Sequence, residues 1–349
     1  MVRGRLRLCT VAFEWVKTMQ WWKTAAVAVG LAWAGSATAG MSEAIRAYNA
    51  AQFKVALTEF TKLARQGNGP AQFRLGIMYA KGQGVTVDLN AAREWYRKAA
   101  EQGDKIAQTR LAGMLEQGQG GARDEKEAAT WYANAAEQGW PAAQYKLGLM
   151  YSKGRGVTQD TRQAAQWISK AAEQGDAFAQ FDLGSMYSRG EGVAADDAQS
   201  LVWYRKAAEQ GDSLAQYNLG VIYRVGQGVK QDFAEALIWY NKSAEQGDAQ
   251  AQYHLGLMAA QGQGMPADFG KAAQWYRKAA QQGNAAAQNG LGVLYAEGQG
   301  VTVDMAQAYR WFAMAASSGN TTASENLKMA ERHMTPEQLE FARRVPMKK

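Results

Sequence analysis

Cysteine is almost missing from this chain. Cys9 is the single one, which removes any disulfide framework and any zinc cluster built on thiolates. Histidine occurs twice, as His254 and His333, too far apart in sequence for a His pair at metal-ligand spacing. Proline is also scarce, at five against 37 glycines. With no Gly-X-Y period, neither a collagen-like helix nor a proline-rich linker fits. An excess of one charge is lacking too. The net +7 owes much to the first 39 residues, where Arg3, Arg5, Arg7, Lys17 and Lys23 stand against Glu14 alone; without them 34 basic and 31 acidic residues remain, a net of +3. That is no concentrated basic footprint for nucleic acid.

What remains is a chain of 349 residues with 47% hydrophobic and 20% charged positions, enough to bury a large core. Ala25–Ala34 ("AAVAVGLAWA") is apolar but too short to span a bilayer. It follows Lys23 and ends in "SATAG", where Ala37-Thr38-Ala39 has the small-residue pattern of a signal-peptidase site. Residues 1–39 therefore read as a cleavable signal peptide, with a retained apolar helix as the other reading. A start at Met19 gives a compact signal, whereas a start at Met1 leaves an unusually long basic region. The expected mature chain begins at Gly40, carries no cysteine and no membrane span, and is periplasmic or secreted.

The sequence is periodic. Trp95, Trp131, Trp167, Trp203, Trp239, Trp275 and Trp311 stand 36 residues apart, and Gly67 through Gly319 keep the same step. "WYRKAAEQGD" at Trp95–Asp104 returns intact at Trp203–Asp212. Seven units thus run over 68–319 without insertion or deletion, the mark of stacked supersecondary units.

One unit reads as a helix pair. Asp104 suits an N-cap, Ala107, Leu111 and Leu115 follow at helical spacing, and Gly118 ends the first helix. Asp124 caps the second, whose apolar stripe is Ala128, Trp131, Tyr132, Ala135 and Ala136, closed by Gly139. Gly76, Gly148, Gly184, Gly220, Gly256 and Gly292 lie inside the first helices. Each costs about 1 kcal/mol against Ala there, so a close approach by a neighbouring helix backbone is expected.

The pattern "AQYNLGVIYRVGQGVKQDFAEALIWYNKSAEQGD" at Ala215–Asp248 resembles the Sel1-like repeat family, a relative of the tetratricopeptide repeats. The resemblance implies an all-α, right-handed α-solenoid of antiparallel helix pairs whose first helices line the groove. It also implies bacterial protein–protein interaction or adaptor work. The ends depart from the pattern as array ends do. Residues 40–67 read as an N-terminal capping helix pair, with Glu59 and Phe60 where Trp and Tyr would fall. Residues 320–349 read as C-terminal capping helices, with Thr335, Pro336 and Gln338 forming a helix start and capping box.

Signals of chemistry have plain structural readings. The Gly-x-Gly loops carry no Gly-Lys-Ser/Thr and follow no strand, so they read as helix-terminal turns rather than phosphate cradles. The periodic aspartates Asp88, Asp124, Asp160, Asp196, Asp232, Asp268 and Asp304 precede second helices and read as N-caps. His254 reads as a surface variant of a polar position. No catalytic residue, cofactor or metal ligand is expected.

Function is then sought where the repeat leaves the residue free. One first-helix column reads Arg74, Arg110, Lys146, Asp182, Asn218, His254, Gly290. Seven residues on, the column is Lys81, Gln117, Lys153, Arg189, Val225, Gln261, Glu297. With the column at Ile77 and Leu149 between them, this i, i+3, i+7 spacing marks one helical face. Arg74, Arg110, Lys146, Lys81, Lys153 and Arg189 make the early repeats basic. That face is either ordinary solvated surface or a groove for a protein partner with an acidic segment. Trp140, where other units have Asp or Asn, either covers the next helix pair or anchors a partner. "GMPADFG" at Gly264–Gly270 is a further departure.

Two functions are weighed. One is an exported interaction scaffold or regulator binding a protein through the groove. The other is a cell-wall-related or β-lactam-hydrolysing enzyme, as the resemblance suggests for cysteine-rich members. The lack of cysteine in this array counts against it.

Overall fold

A computed structural model describes residues 39–344, all helical with no strand among them. The expected signal peptide, apart from Ala39 itself, lies outside the described residues. The chain divides into two compact units, ending at Arg123 and starting at Asp124. The first contains α1 (Ala39–Asn49), α2 (Phe53–Arg65), α3 (Gly69–Lys81), α4 (Leu89–Glu101) and α5 (Lys105–Gln117). The second contains α6 (Glu125–Glu137), α7 (Pro141–Lys153), α8 (Thr161–Glu173), α9 (Ala177–Arg189), α10 (Asp197–Glu209), α11 (Ser213–Val225) and α12 (Phe233–Glu245). It continues with α13 (Ala249–Gln261), α14 (Phe269–Gln281), α15 (Ala285–Glu297), α16 (Met305–Ser317), α17 (Thr321–His333) and α18 (Pro336–Arg344). Most helices have the same length because the same capping residues recur. Asp88 Oδ1 accepts from the Ala91 amide at 3.0 Å, and Asp212 Oδ1 from Ala215 at 2.7 Å. The periodic aspartates are helix caps. Second helices end in Schellman turns: the Asp212 amide donates to Ala207 O at 3.1 Å and Gly211 to Ala208 O at 3.0 Å.

The two loop glycines do different work. Gly190 (φ 68°) is the left-handed cap of α9. Gly192 (φ 72°) sits so close to the N-terminus of α8 that a Cβ would lie 2.0 Å from Thr161 O. The mid-helix glycines meet a partner side chain first, and two also meet the expected helix backbone, a Cβ on Gly148 standing 3.1 Å from Ala164 O and one on Gly184 3.2 Å from Ser200 O. A Cβ on Gly220 would stand 2.5 Å from the Tyr240 ring, and one on Gly76 equally close to Tyr96. The second-helix Tyr lies on the glycine of its own pair. Tyr240 is fully buried and Tyr96 nearly so, while Trp95, Trp131, Trp167 and Trp275 remain half-buried. The Tyr column is the deeper core. The outer Trp column is covered by lysines, as with Lys206 Nζ 3.8 Å from the Trp203 ring centre.

A buried glutamine ladder joins the pairs. Gln216 Nε2 donates to Ala208 O at 3.0 Å, and its Oε1 accepts from Gln246 Nε2 at 2.8 Å. The same pair of bonds recurs at Gln72, Gln144, Gln180 and Gln252. At Gln288 the ladder stops: its Oε1 is buried without a partner, and Ser318 holds the slot of Gln282 one repeat on. A buried acceptor left unbonded costs about 1–3 kcal/mol. Ser318→Gln is accordingly expected to raise stability by about 1 kcal/mol in urea unfolding. An unchanged or lowered midpoint would mean that this oxygen needs no donor.

The helices at both ends depart from the repeat. Phe60, in the place of the missing Tyr, is fully buried in the core of α1–α3. At the other end the Thr335 amide donates to Gln338 Oε1 at 2.9 Å, and the Gln338 amide to Thr335 Oγ1 at 3.2 Å. This reciprocal capping box starts α18.

Candidate partner-binding face

First helices expose residues at a spacing of four, three and four, because α-helical geometry brings those positions to one side. In the first unit, half-buried Arg74 on α3 holds its guanidinium 5.6 Å from the Tyr48 ring centre, and Lys81 is exposed in the last turn. Arg110 on α5 lies deeper. Burial lowers its pKa, opposed by the Tyr96 hydroxyl, and burial pushes Tyr96 up to about 12. Arg110 is thus largely buried, within electrostatic reach of the Tyr96 hydroxyl.

In the second unit Lys146 is half-buried and Lys153 exposed on α7. Arg189 on α9 is exposed but engaged: Nε donates to Glu191 Oε1 at 2.7 Å, Nη2 to Oε2 at 3.0 Å and Nη1 to Ser185 Oγ at 2.5 Å. The hydrogen bonds to Glu191 raise its pKa further, so its charge is largely compensated in place. Asp182, in the slot of Lys146, accepts from the Tyr145 hydroxyl at 2.9 Å. Burial raises its carboxyl pKa, against the lowering effects of that bond, Arg189 and Lys153. Trp140 is half-buried as the N-cap residue of α7 and makes no side-chain cap bond. Of the seven sequence-predicted residues, Lys81, Lys146 and Lys153 present their charge most openly.

His254 departs from the sequence expectation. It is no surface variant: its ring stacks on Tyr240 at 5.2 Å and 14°, with Tyr217 and Tyr253 at 5.8 and 5.2 Å. Burial, assisted by Arg224, lowers its pKa to about 4. An unfolded histidine titrates near 6.5, so between these values the unfolded state binds more protons. Stability is therefore expected to fall as pH drops from about 6.5 to about 4. His254→Asn, which copies Asn218 one repeat earlier, should flatten that part of the curve. An unchanged pH profile of the urea midpoint would refute the assignment.

Sequence reading placed Val225 on this face but overlooked Phe178 and Leu214. Phe178, Leu214 and Val225 are exposed on α9 and α11. The signal was present in the columns, where Phe178 and Leu214 follow Ala142, and Val225 stands among Lys153, Arg189 and Gln261. Among the described residues no three of His, Cys, Asp and Glu converge as metal ligands. No helix among them is long and apolar enough to cross a membrane.

The Sel1 repeat family model matches seven times in succession, at residues 69–104, 105–140, 141–176, 177–212, 213–248, 249–284 and 285–320. A Sel1 repeat protein from Oxalobacter formigenes is similar at 34% identity over 94% of this chain and 97% of that one, with a TM-score of 0.68. A protective antigen present in uropathogenic Escherichia coli strains, displaying an SLR fold, is 32% identical over 94% of this chain and 85% of its own, with a TM-score of 0.53. No curated protein sequence matches. Seven consecutive matches, laid over the helix pairs just described, show that the chain belongs to the Sel1 repeat family.

Proposed function

We propose that this protein is an exported interaction scaffold, periplasmic or secreted, that holds a protein partner carrying an acidic segment on its first-helix faces. Sel1 repeat proteins generally mediate protein–protein interaction, and their solenoid is typically a non-catalytic scaffold. The observation that carries the reading is a division of labour along each first helix. Core and ladder positions repeat almost unchanged, while the outward positions vary, with Lys81 and Lys153 exposed and Lys146 half-buried. Nothing in the stacking requires those lysines. Export rests on the apolar run and small-residue site before Gly40.

Photo-crosslinking in native host cells tests the reading. A benzophenone side chain placed at Lys146, on the proposed face, is expected to capture a discrete protein. The same probe at Gln166, exposed on α8, should not. N-terminal sequencing of the mature probe-bearing protein should begin at Gly40. Capture from Gln166 alone would place the site elsewhere, and residues before Ala39 on the mature form would refute export by cleavage.

A further inference from the structure

The outward face of α11 is apolar where its neighbours are polar. Leu214, Asn218, Val221 and Val225 run along it, with Leu214 51% and Val225 57% exposed and Val221 half-buried. On the preceding first helix Phe178 is 48% exposed, stacked at 6.4 Å on Tyr145 of α7. The scaffold does not dictate these residues, because the next repeat has Gln250 and Gln261 in the slots of Leu214 and Val225. Exposed apolar side chains that packing does not require suit a surface with an apolar partner.

Charge says what the partner is. Lys146 and Lys153 lie on α7, and neither forms an ion pair among the described residues. The cation that follows, Arg189, is bound by Glu191. On the far side, α13 and α15 offer Gln261 and Glu297 in the slots of Lys153. An occupant lying across α7, α9 and α11 therefore meets cations at one end and hydrocarbon at the other. Neighbouring helices pack at about 8–10 Å, so the crossing spans roughly 16–20 Å, or about 11–13 residues of α-helix. Asp182 and Glu191 between the cations make the strip a poor fit for a polyanion such as nucleic acid.

We propose that the face of α7, α9 and α11 receives one amphipathic helix of a partner protein, with acidic residues over Lys146 and Lys153 and apolar residues over Phe178, Leu214, Val221 and Val225. The inference rests on the partner-binding reading above and adds the shape and chemistry of the bound segment.

A phage-displayed library of random peptides of about 16 residues, selected on the full chain, tests it. Recovered peptides should carry an apolar helical face with Asp or Glu clustered at one end. They should lose at least about tenfold in affinity for Leu214→Gln/Val225→Gln, and likewise for Lys146→Glu/Lys153→Glu. The first pair copies residues the next repeat already bears, so folding should be retained, and unchanged helical circular dichroism would confirm it. Phe341→Asp, exposed on α18, should bind as the parent does. Peptides that bind both double variants as tightly as the parent would overturn this inference and leave the scaffold reading standing. A dimer that Leu214→Gln/Val225→Gln dissociates would overturn it too, naming a second copy as the occupant. A library that yields no binder at all would count against both readings.

Discussion

Trp203→Ala is expected to destabilise the protein by about 3–5 kcal/mol, the usual cost of deleting a buried aromatic side chain. Trp203 is 8% exposed and packs with Leu183, Met186 and the Ala pairs of α8. Its outer ring face is covered by Lys206, whose ammonium would lose that contact as well. In a stacked array each repeat touches mainly its neighbours. The loss should therefore appear as a second, earlier step in urea unfolding, with new proteolytic cleavage in α8–α11. A single transition at the parent midpoint, with no new cleavage, would show that the Trp column is dispensable to the core.

Gly192→Ala should be nearly as damaging for a different reason. At φ 72° an added Cβ is strained, and here it would also fall 2.0 Å from the Thr161 carbonyl oxygen. Backbone, unlike a flexible side chain, cannot move aside without opening the start of α8. The left-handed strain costs roughly 1–2 kcal/mol and forced repacking roughly 1–3 kcal/mol, so roughly 2–5 kcal/mol is expected in total. Gly211→Ala is the matched control. It has φ 94° and nothing within 4 Å of the added atom, so it should show the strain alone. Equal losses in the two variants would mean that the close approach at Gly192 contributes nothing.

These contrasts show where sequence reading succeeds and where it stops. The helix pairs were legible because Asp at the caps, Gly at left-handed turns and Ala in tight contacts are demanded again in every repeat, and period 36 follows. The basic column was legible for the complementary reason that nothing demands it. The fates of individual members were not, because they depend on contacts with the neighbouring repeat. Asp182 meets Tyr145 across 37 residues, and His254 meets Tyr217 at the same interval. Column reading shows that such residues vary without showing what they touch. The glutamine ladder was hidden differently. Gln reads as a surface residue, and only the carbonyl and amide partners waiting eight and 30 residues away make it a core one.

Repeated positions build the fold, and the varying outward positions are proposed to bind. Lys81→Glu/Lys146→Glu/Lys153→Glu, titrated by calorimetry with the crosslinked partner in low salt and unfolded in parallel, measures this division most directly. Arg110 is left intact because its burial against Tyr96 would mix stability with binding. Exposed charges usually shift stability by less than about 0.5 kcal/mol each. The prediction is therefore a near-parental thermal midpoint with partner affinity weakened at least about tenfold, about 1.4 kcal/mol. Parental affinity in the folded triple variant would contradict the account.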